Sequence, residues 1–475
     1  MSRFSRWLTV TAAAVLAIPV CGFFSVSASQ PEETILATAA PAYAPLAALQ
    51  GGERFPRGAQ ILRIAHGEAE PLVKGFAATA DASVSFDGKR ILFAGKKNAA
   101  DPWQIWEIVV HHGDLRRLYA GLTDAIRPFY LPAGQFVFAR RGAAGFQLVA
   151  AGKNLGDDAP LAPIPDDAAN TLTPLTNFPG SAIADGVLTD GRILFDADFP
   201  LGAGSTPEMY LVYPDGSGVE SYRCDHGRGR WGGAQLASGD LVFTHGRSLA
   251  RFTSAQANEV AVAAPQAAYA GAIAETAQGD WLLSAQPGAT RRYELMLWKP
   301  GATALRPFHA DRGENLVEPV VLAPHERPRI HPSVLAPWDY ANLLAFDARL
   351  SRAGDLKTPS AAVRLESLDA NGHVVLNGTA PVASDGSFFV RVPGDRAIRF
   401  ALLDAQGAVV RRQRGWFWAR SGEQRICVGC HTGPERAVDN RLPNILRKSN
   451  FPTDLTGHIS NAAPPRQAIA KKGEN

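Results

Sequence analysis

Short apolar segments alternate with glycine-centred turns along most of the chain. The stretch 81–94 reads DASVSFDGKRILFA, in which a strand-like segment, a tight turn at Gly88 and a strongly apolar segment follow one another. The same order recurs four more times, with turns at Gly134, Gly191, Gly239 and Gly279. Successive turn glycines are 40 to 57 residues apart, close to the length of one four-stranded blade of a β-propeller. The pattern therefore predicts a propeller.

Several repeats carry a second hairpin, as in 105–118 and 295–308. Two hairpins make one four-stranded blade. The hairpin at 60–73 has no inner partner ahead of it, and we expect it to complete the last blade with strands at about 316–322. Closing a ring with strands from both ends of the domain removes exposed sheet edges. We predict six blades, with seven as the alternative; the repeat length disfavours an open array of hairpins or a sandwich.

Domain boundaries follow from changes in this pattern. Prolines crowd the stretch 323–337, where they deny backbone donors and stiffen the connection. Beyond it, 362–368, 388–392 and 398–403 alternate apolar and polar residues between glycine-containing turns, which predicts a mainly antiparallel, β-sandwich-like middle domain. The predicted organisation is a signal peptide at 1–28, a linker at 29–50, the propeller at 51–322, a Pro-rich linker at 323–337, the middle domain at 338–415 and a C-terminal segment at 416–475.

The N-terminus has the pattern of a secretory signal. Arg3 and Arg6 precede an apolar run over 8–20, and small residues lead up to Ala28, where we expect cleavage. A run of 13 residues is shorter than the roughly 20 that a spanning helix needs. Lipid attachment at Cys21 is the alternative, and the preceding valine disfavours it. We expect a periplasmic protein with no transmembrane segment in the mature chain.

Composition and charge narrow the functional classes. The chain has 475 residues, of which 46% are apolar and 20% are charged, and its formal net charge is +3. These values exclude a disordered protein and disfavour a nucleic-acid-binding one. From Arg411 onward there are 12 Lys or Arg residues against 5 Asp or Glu. This basic end could dock an acidic redox partner protein or cytochrome.

The candidate chemistry lies in this basic end. Cys427-Val428-Gly429-Cys430-His431 has the CxxCH spacing of a c-type haem attachment site, in which two thiols bind the vinyl groups and the histidine is the proximal iron ligand. A zinc site would need two more ligands, whereas the only other cysteine after the signal is Cys224. A thioredoxin-like dithiol would need alternating strands and helices. We therefore predict one covalently bound haem c on 416–475.

The sequence leaves two possibilities for the second axial ligand of the haem iron. The last methionine, Met296, precedes the motif, so a downstream methionine ligand is excluded. His458 is the only histidine after the motif; it is either a distal ligand or a solvated tail residue, and without a sixth ligand the iron is open to small molecules. Arg425 and Arg436 are candidate partners of the haem propionates. The aromatic run 416–418 could line the porphyrin or belong to the core.

Two stretches resemble known families. FDGKRILF at 86–93 resembles the TolB type of propeller. The segment 380–431, with APVASDGSFFVRVPGD, FALLDAQG and GWFWARSGEQRICVGCH, resembles the middle domain of the hydrazine synthase alpha subunit family. That resemblance implies a six-bladed TolB-like propeller followed by a β-rich middle domain with a c-type haem. The family has a second haem domain and a tyrosine iron ligand four residues beyond the histidine; this chain has one CxxCH and Glu435 there.

We therefore expect a periplasmic monohaem c-type cytochrome that acts in electron transfer or in redox chemistry of a small-molecule ligand at the haem. The alternative is a propeller-based protein-interaction or scaffold module with an electron-relay or sensory haem. If the protein is an enzyme, it is a haem-dependent oxidoreductase and not a complete hydrazine synthase. The sequence indicates no catalytic triad and no paired carboxylates in the propeller, and a fold resemblance alone does not determine chemistry.

Overall fold

The regular secondary structure of the computed structural model is almost entirely β-strand. The structure describes residues 33–152, 161, 163–164, 172–198, 206–223, 227–254, 257–288, 291–310, 313–351, 354–369, 371–413, 415–428 and 441–457. Within these ranges the helices are a short 3-10 helix, Ala47–Gln50, and a short α-helix, Asn444–Lys448. No helix of the described ranges has the length and apolar character required to cross a membrane.

Six antiparallel sheets of the described chain form the blades of a propeller. From the innermost strand outward, blade 1 is Ala78–Val84, Arg90–Lys96, Gln104–Val109 and Leu115–Tyr119; blade 2 is Ala125–Leu131, Gln135–Gly142, Gly145–Ala151 and Thr173–Pro174; blade 3 is Ser181–Val187, Ile193–Asp198, Glu208–Val212 and Glu220–Ser221. Blade 4 is Arg230–Gln235, Leu241–His245, Ser248–Phe252 and Val260–Ala261; blade 5 is Ala267–Tyr269 with Ala274–Glu275, Trp281–Pro287, Glu294–Trp298 and Arg306–His309; blade 6 is Asn315–Val321, Ile35–Ala40, Gln60–Ala65 and Glu68–Pro71. The predicted six-bladed propeller is confirmed.

Burial follows the position of a strand in its blade. The second strand of blade 3, Ile193–Asp198, is buried along its whole length, whereas the outermost strand of blade 6, Glu68–Pro71, is exposed throughout. Neighbouring blades cover both faces of the inner strands, which is why successive residues of these strands are buried rather than every second one. The strong apolar segment after each turn glycine is therefore the second strand of its blade.

The ring closes with strands from both ends of the propeller, as expected, and with one more strand than expected. Ile35–Ala40 pairs antiparallel with Gln60–Ala65 on one side and with Asn315–Val321 on the other. This strand lies within 29–50, so the expected linker at 29–50 and the expected start of the propeller at 51 need correction. The sequence ILATAA is rich in alanine, a weak strand former, and its pairing with distant strands gives it its conformation.

The innermost strands share an irregularity at the same level of the ring. Their register shifts at one point in blades 1, 2, 3, 4 and 6, and in blade 5 the strand is broken in two. The residues at these points are Asp81, Arg127, Asp185, Gly232, Gly271 and Glu318, and all but Asp185 have positive φ. Such β-bulges redirect a side chain, and L-residues are held at positive φ at a cost. Four polar side chains are thereby brought together at the propeller centre.

The middle domain is a sandwich of two sheets. One sheet is antiparallel and consists of Val374–Pro381, Ala362–Leu368, Ile398–Leu403 and Val409–Arg412; the other consists of Gln424–Cys427, Tyr340–Ala345, Phe388–Pro393 and Thr453–Asp454. In the second sheet Gln424–Cys427 and Thr453–Asp454 pair in parallel with their neighbours. Two strands from the expected segment 416–475 therefore complete the sandwich, and its expected boundary at 415 needs correction.

The Pro-rich linker lies across one face of the propeller. The His325 amide donates to the Phe86 carbonyl, and the Arg329 amide donates to the Thr189 carbonyl, each over 3.0 Å. The ring of His331 then stacks on Tyr213, with centroids 3.7 Å apart. These contacts run from blade 1 to blade 3, and they bring the middle domain to the outer hairpin of blade 3.

Candidate functional site

The first motif cysteine is held at the end of a sheet strand. Cys427 ends the strand Gln424–Cys427 and lies opposite Ala345 in the parallel pairing. Its carbonyl accepts a hydrogen bond of 2.9 Å from the Phe346 amide. The side chain is half-buried at the edge of the sandwich core. The backbone that leads into the motif is therefore fixed by the middle domain.

The electrostatic surroundings keep the thiol neutral. Burial raises the pKa of Cys427, and the nearby positive charge of Arg425 only partly opposes this effect. A thiol with a raised pKa is a poor nucleophile and a poor metal ligand. Among the described residues no group of three or more His, Cys, Asp or Glu side chains could hold a metal ion. Cys427 by itself is therefore not an activated thiolate.

Apolar side chains on both sides of Cys427 are open to solvent. Ile426 is 63% exposed and Val428 is 50% exposed. Residues of this kind are buried in most proteins, and a porphyrin edge is an apolar surface that would cover them. The two exposed apolar side chains beside Cys427 therefore fit the predicted haem.

Arg425 joins the motif to the propeller. Its guanidinium donates to the carbonyl of Trp418 over 3.3 Å and to the carbonyl of Val219, which lies after the outer hairpin turn of blade 3. It also lies 5.3 Å from the ring centre of Phe417 and 3.9 Å from the Glu423 carboxylate. These contacts occupy part of the guanidinium, and its expected role as a propionate partner stays a prediction.

The aromatic run 416–418 forms part of the core. Trp418 is fully buried, packs edge-on against Phe178 of the propeller at 4.8 Å, and donates from Nε1 to the Gly216 carbonyl over 3.3 Å. Trp416 is also buried and lies under the guanidinium of Arg399 at 4.4 Å. The sequence left open whether this run lines the porphyrin or belongs to the core, and these two side chains belong to the core. Trp418 holds the middle domain against the propeller.

Sequence reasoning missed Glu423, a further residue at the joint between blade 3 and the middle domain. Glu423 is buried, and its carboxylate accepts the amide of Gly218 in blade 3 over 3.2 Å and the amide of Arg420 over 2.7 Å. A lone glutamate in GEQRIC carries no signal of this role, because its partner amide is about 200 residues away in the chain.

Sequence reasoning also missed the polar cluster at the propeller centre. Its members carry a weak periodic signal, since Asp81 and Arg127 each precede a turn glycine, Gly88 or Gly134, by seven residues. Aligning the innermost strands on these glycines would have shown charged residues at a level where a core strand normally has apolar ones.

The other predicted site residues lie outside the described ranges. These are Cys430, His431, Arg436 and His458, as well as Cys21 and Cys224. Of the predicted site, the structure therefore brings together Cys427 and Arg425, beside the outer hairpin of blade 3.

Comparison with known proteins agrees with this architecture. Residues 360–432 match the family described as the hydrazine synthase alpha subunit middle domain. The fold is similar to that of Kuenenia stuttgartiensis hydrazine synthase, with a TM-score of 0.74 and 18% sequence identity over 88% of this chain and 71% of that chain. TolB from Acinetobacter baumannii matches with a TM-score of 0.42 and 14% identity over 60% of this chain and 66% of that chain. No curated protein sequence matches.

Proposed function

The chain is hydrazine synthase alpha-like in its middle domain and its fold, and from this premise we propose that it is a periplasmic monohaem c-type cytochrome. It acts in electron transfer or in redox chemistry of a small molecule at the haem. The observation that carries the proposal is the CxxCH at 427–431, which begins at a half-buried, neutral thiol on a rigid sheet edge between two exposed apolar side chains.

The two cysteines and the histidine of the motif each have a defined part in this proposal. Cys427 and Cys430 form the two thioether bonds to one haem c, and His431 is the proximal iron ligand. The haem supplies an iron that changes oxidation state. The protein supplies a fixed attachment point, since the strand that ends at Cys427 is paired in the sandwich and Arg425 ties this strand to blade 3.

Complete hydrazine synthesis is not part of the proposal. The sequence contains one CxxCH, and Glu435 stands four residues after His431, where the family has a tyrosine ligand. A carboxylate and a phenol are different ligands for iron, so the chemistry of the family at this position does not transfer to this chain. A redox partner protein would dock on the basic C-terminal end.

The decisive experiment is a pyridine haemochrome spectrum of the full chain, expressed with its own leader in a host that matures c-type cytochromes. We expect the absorption bands of a haem with both vinyl groups saturated, and haem staining that persists on a denaturing gel. Cys427→Ala and Cys430→Ala should each remove one thioether bond and shift these bands. Cys224→Ala is the matched control and should leave the spectrum unchanged. A purified chain without covalent haem would refute the proposal.

The same sample decides between electron transfer and small-molecule chemistry. Binding of carbon monoxide to the reduced protein indicates an open iron site, whereas an inert low-spin spectrum indicates two axial ligands. If His458 is the distal ligand, His458→Ala converts the low-spin spectrum to a high-spin one. An unchanged low-spin spectrum in this variant removes His458 as a ligand.

A further inference from the structure

Three arginines and one glutamate lie on one face of the antiparallel sheet of the middle domain. Glu366 is paired with Arg399 on the next strand. Arg364 and Arg412 are each paired with Ala401, which lies on the strand between them. Directly paired residues of neighbouring strands point to the same side of a sheet. The apolar residues that alternate with them form the sandwich core, so these charged side chains lie on the face that points away from the core.

All three arginines share the carboxylate of Glu366. Arg364 donates to Oε1 over 2.8 Å, Arg412 lies 3.3 Å from the same oxygen, and Arg399 donates to Oε2 over 2.7 Å. Burial opposes the ionisation of Glu366, but the hydrogen bonds from Arg364 and Arg399 and the nearby positive charges outweigh burial and lower its pKa. Glu366 is therefore a carboxylate at neutral pH.

One carboxylate does not neutralise three guanidinium groups. No other acidic side chain of the described ranges forms an ion pair with these arginines, so three positive charges against one negative charge leave a net charge of +2. The side chains of Arg364 and Arg399 are 20% and 17% exposed, and solvent therefore screens their repulsion incompletely. An anion with two negative charges would balance the group.

Two buried donors on this face have no acceptor among the described residues. They are Nε of Arg364 and Nε1 of Trp416. Trp416 lies on the same face, because the guanidinium of Arg399 is 4.4 Å from the centre of its ring. A buried polar atom without a partner is costly, and it indicates a water or ligand that completes the site. Since both atoms are donors, the missing partner must carry acceptors.

The space between Arg364 and Arg412 has the width for a small anion. The two residues are two strands apart, about 10 Å at the backbone, and Ala401 contributes only a methyl group between them. The Arg412 side chain is 45% exposed, which gives access from solvent. Arginine binds oxyanions through the N–H groups of its planar fork. We propose that this face binds a doubly charged oxyanion, phosphate or sulfate, which accepts hydrogen bonds from Arg364 and Arg412.

Inorganic sulfate and inorganic phosphate are the probes. Thermal unfolding of the full chain is measured with increasing sodium sulfate or sodium phosphate at fixed pH, and sodium chloride keeps the ionic strength constant. We expect the unfolding temperature to rise and to saturate at a low millimolar concentration of either anion. Exclusion of these anions from the protein surface also stabilises proteins, but this effect grows without saturation. A rise without saturation would overturn the proposal, as would the absence of any rise.

Methyl phosphate separates two sources of the anion. A saturable rise with methyl phosphate as well as with inorganic phosphate shows that the site accepts a phosphate group carried by a larger molecule. A saturable rise with the inorganic anions alone assigns the site to a free oxyanion. Both results support an oxyanion site on this face.

Two variants test the site itself. Arg364→Gln and Arg412→Gln each remove one positive charge, and each should weaken sulfate binding at least about tenfold, as expected for a lost hydrogen bond to a charged group. Arg251→Gln is the matched control, because Arg251 is 42% exposed and is paired with a single carboxylate, Asp240, on the propeller; it should leave the affinity unchanged. If Arg364→Gln does not fold, Arg412→Gln alone decides. Unchanged sulfate binding in Arg412→Gln rejects the site.

Discussion

Asp196 shows how a single buried carboxyl group can govern the pH dependence of stability. Burial raises its pKa, and the adjacent Asp185 raises it further because two neighbouring carboxylates repel each other. Its Gly232 hydrogen bond opposes this effect without cancelling it. The native protein therefore binds a proton at Asp196 more tightly than the unfolded chain does.

A prediction follows for pH. A raised pKa contributes stability that is fully present below the unfolded value, near 3.8, and is lost as the pH rises through the folded value. Asp196→Asn stays neutral, so its free energy of unfolding relative to wild type should increase over this pH range. Chemical denaturation measures the difference. Asp114→Asn, a change at an exposed turn residue, is the control. A constant difference between variant and wild type across the range would contradict the assignment.

At the scale of elements, the Pro-rich linker depends on glycines of the propeller turns. A Cβ on Gly191 would collide with the carbonyl oxygen of Arg329, and one on Gly88 would lie 2.7 Å from the backbone nitrogen of Pro324. Both glycines are the turn residues of the blade repeat. The repeated turn therefore has two uses, since it reverses the strand in every blade and gives the linker a surface without side chains in blades 1 and 3.

Gly191→Ala and Gly239→Ala separate these two uses. Both glycines have a φ of +88°, so alanine at either position costs about 1–2 kcal/mol of backbone strain. Nothing lies within 4 Å of a Cβ on Gly239, whereas one on Gly191 displaces the linker. We expect Gly191→Ala to lower the free energy of unfolding by more than Gly239→Ala does, and to increase protease cleavage within 323–337. Equal effects of the two variants would show that the linker does not need this contact.

At the scale of the whole molecule, the joint between blade 3 and the middle domain connects the propeller to the start of the haem motif. Trp418 belongs to the propeller core cluster although it lies far along the chain, and Phe417 packs against both that cluster and the sandwich core. The strand that ends at Cys427 follows within ten residues. The contacts that stabilise this joint therefore also position the start of the haem motif.

Trp418→Ala tests this link. Removing a fully buried tryptophan costs about 3–5 kcal/mol, and here the cavity opens between the propeller and the middle domain. Scanning calorimetry should show a lower unfolding temperature and separate transitions for the two domains. Trp338→Ala, at a partly exposed position on the linker side, should retain one transition. A single, unshifted transition in Trp418→Ala would show that the joint does not couple the domains.

Much of the fold could be predicted because its signals are local. The turn glycines and the apolar segments after them lie within one hairpin, and they predicted six blades and a β-rich middle domain. The strand Ile35–Ala40 could not be predicted, because its partner Val321 is far away in the chain and its alanine-rich sequence has no strand pattern. The role of Glu423 could not be predicted for a similar reason, because its partner amide belongs to the propeller and lies far away in the chain.

The repeat, the place of the middle domain and the CxxCH motif can be read from the sequence, since each depends on residue types at short, fixed spacings. Which charged residues meet at the propeller centre depends instead on how the ring folds. Asp81, Arg127, Asp185 and Glu318 look like ordinary strand residues in sequence. They become one cluster because ring closure brings the innermost strands to a common axis, and because a bulge in each of these strands turns the side chain inward.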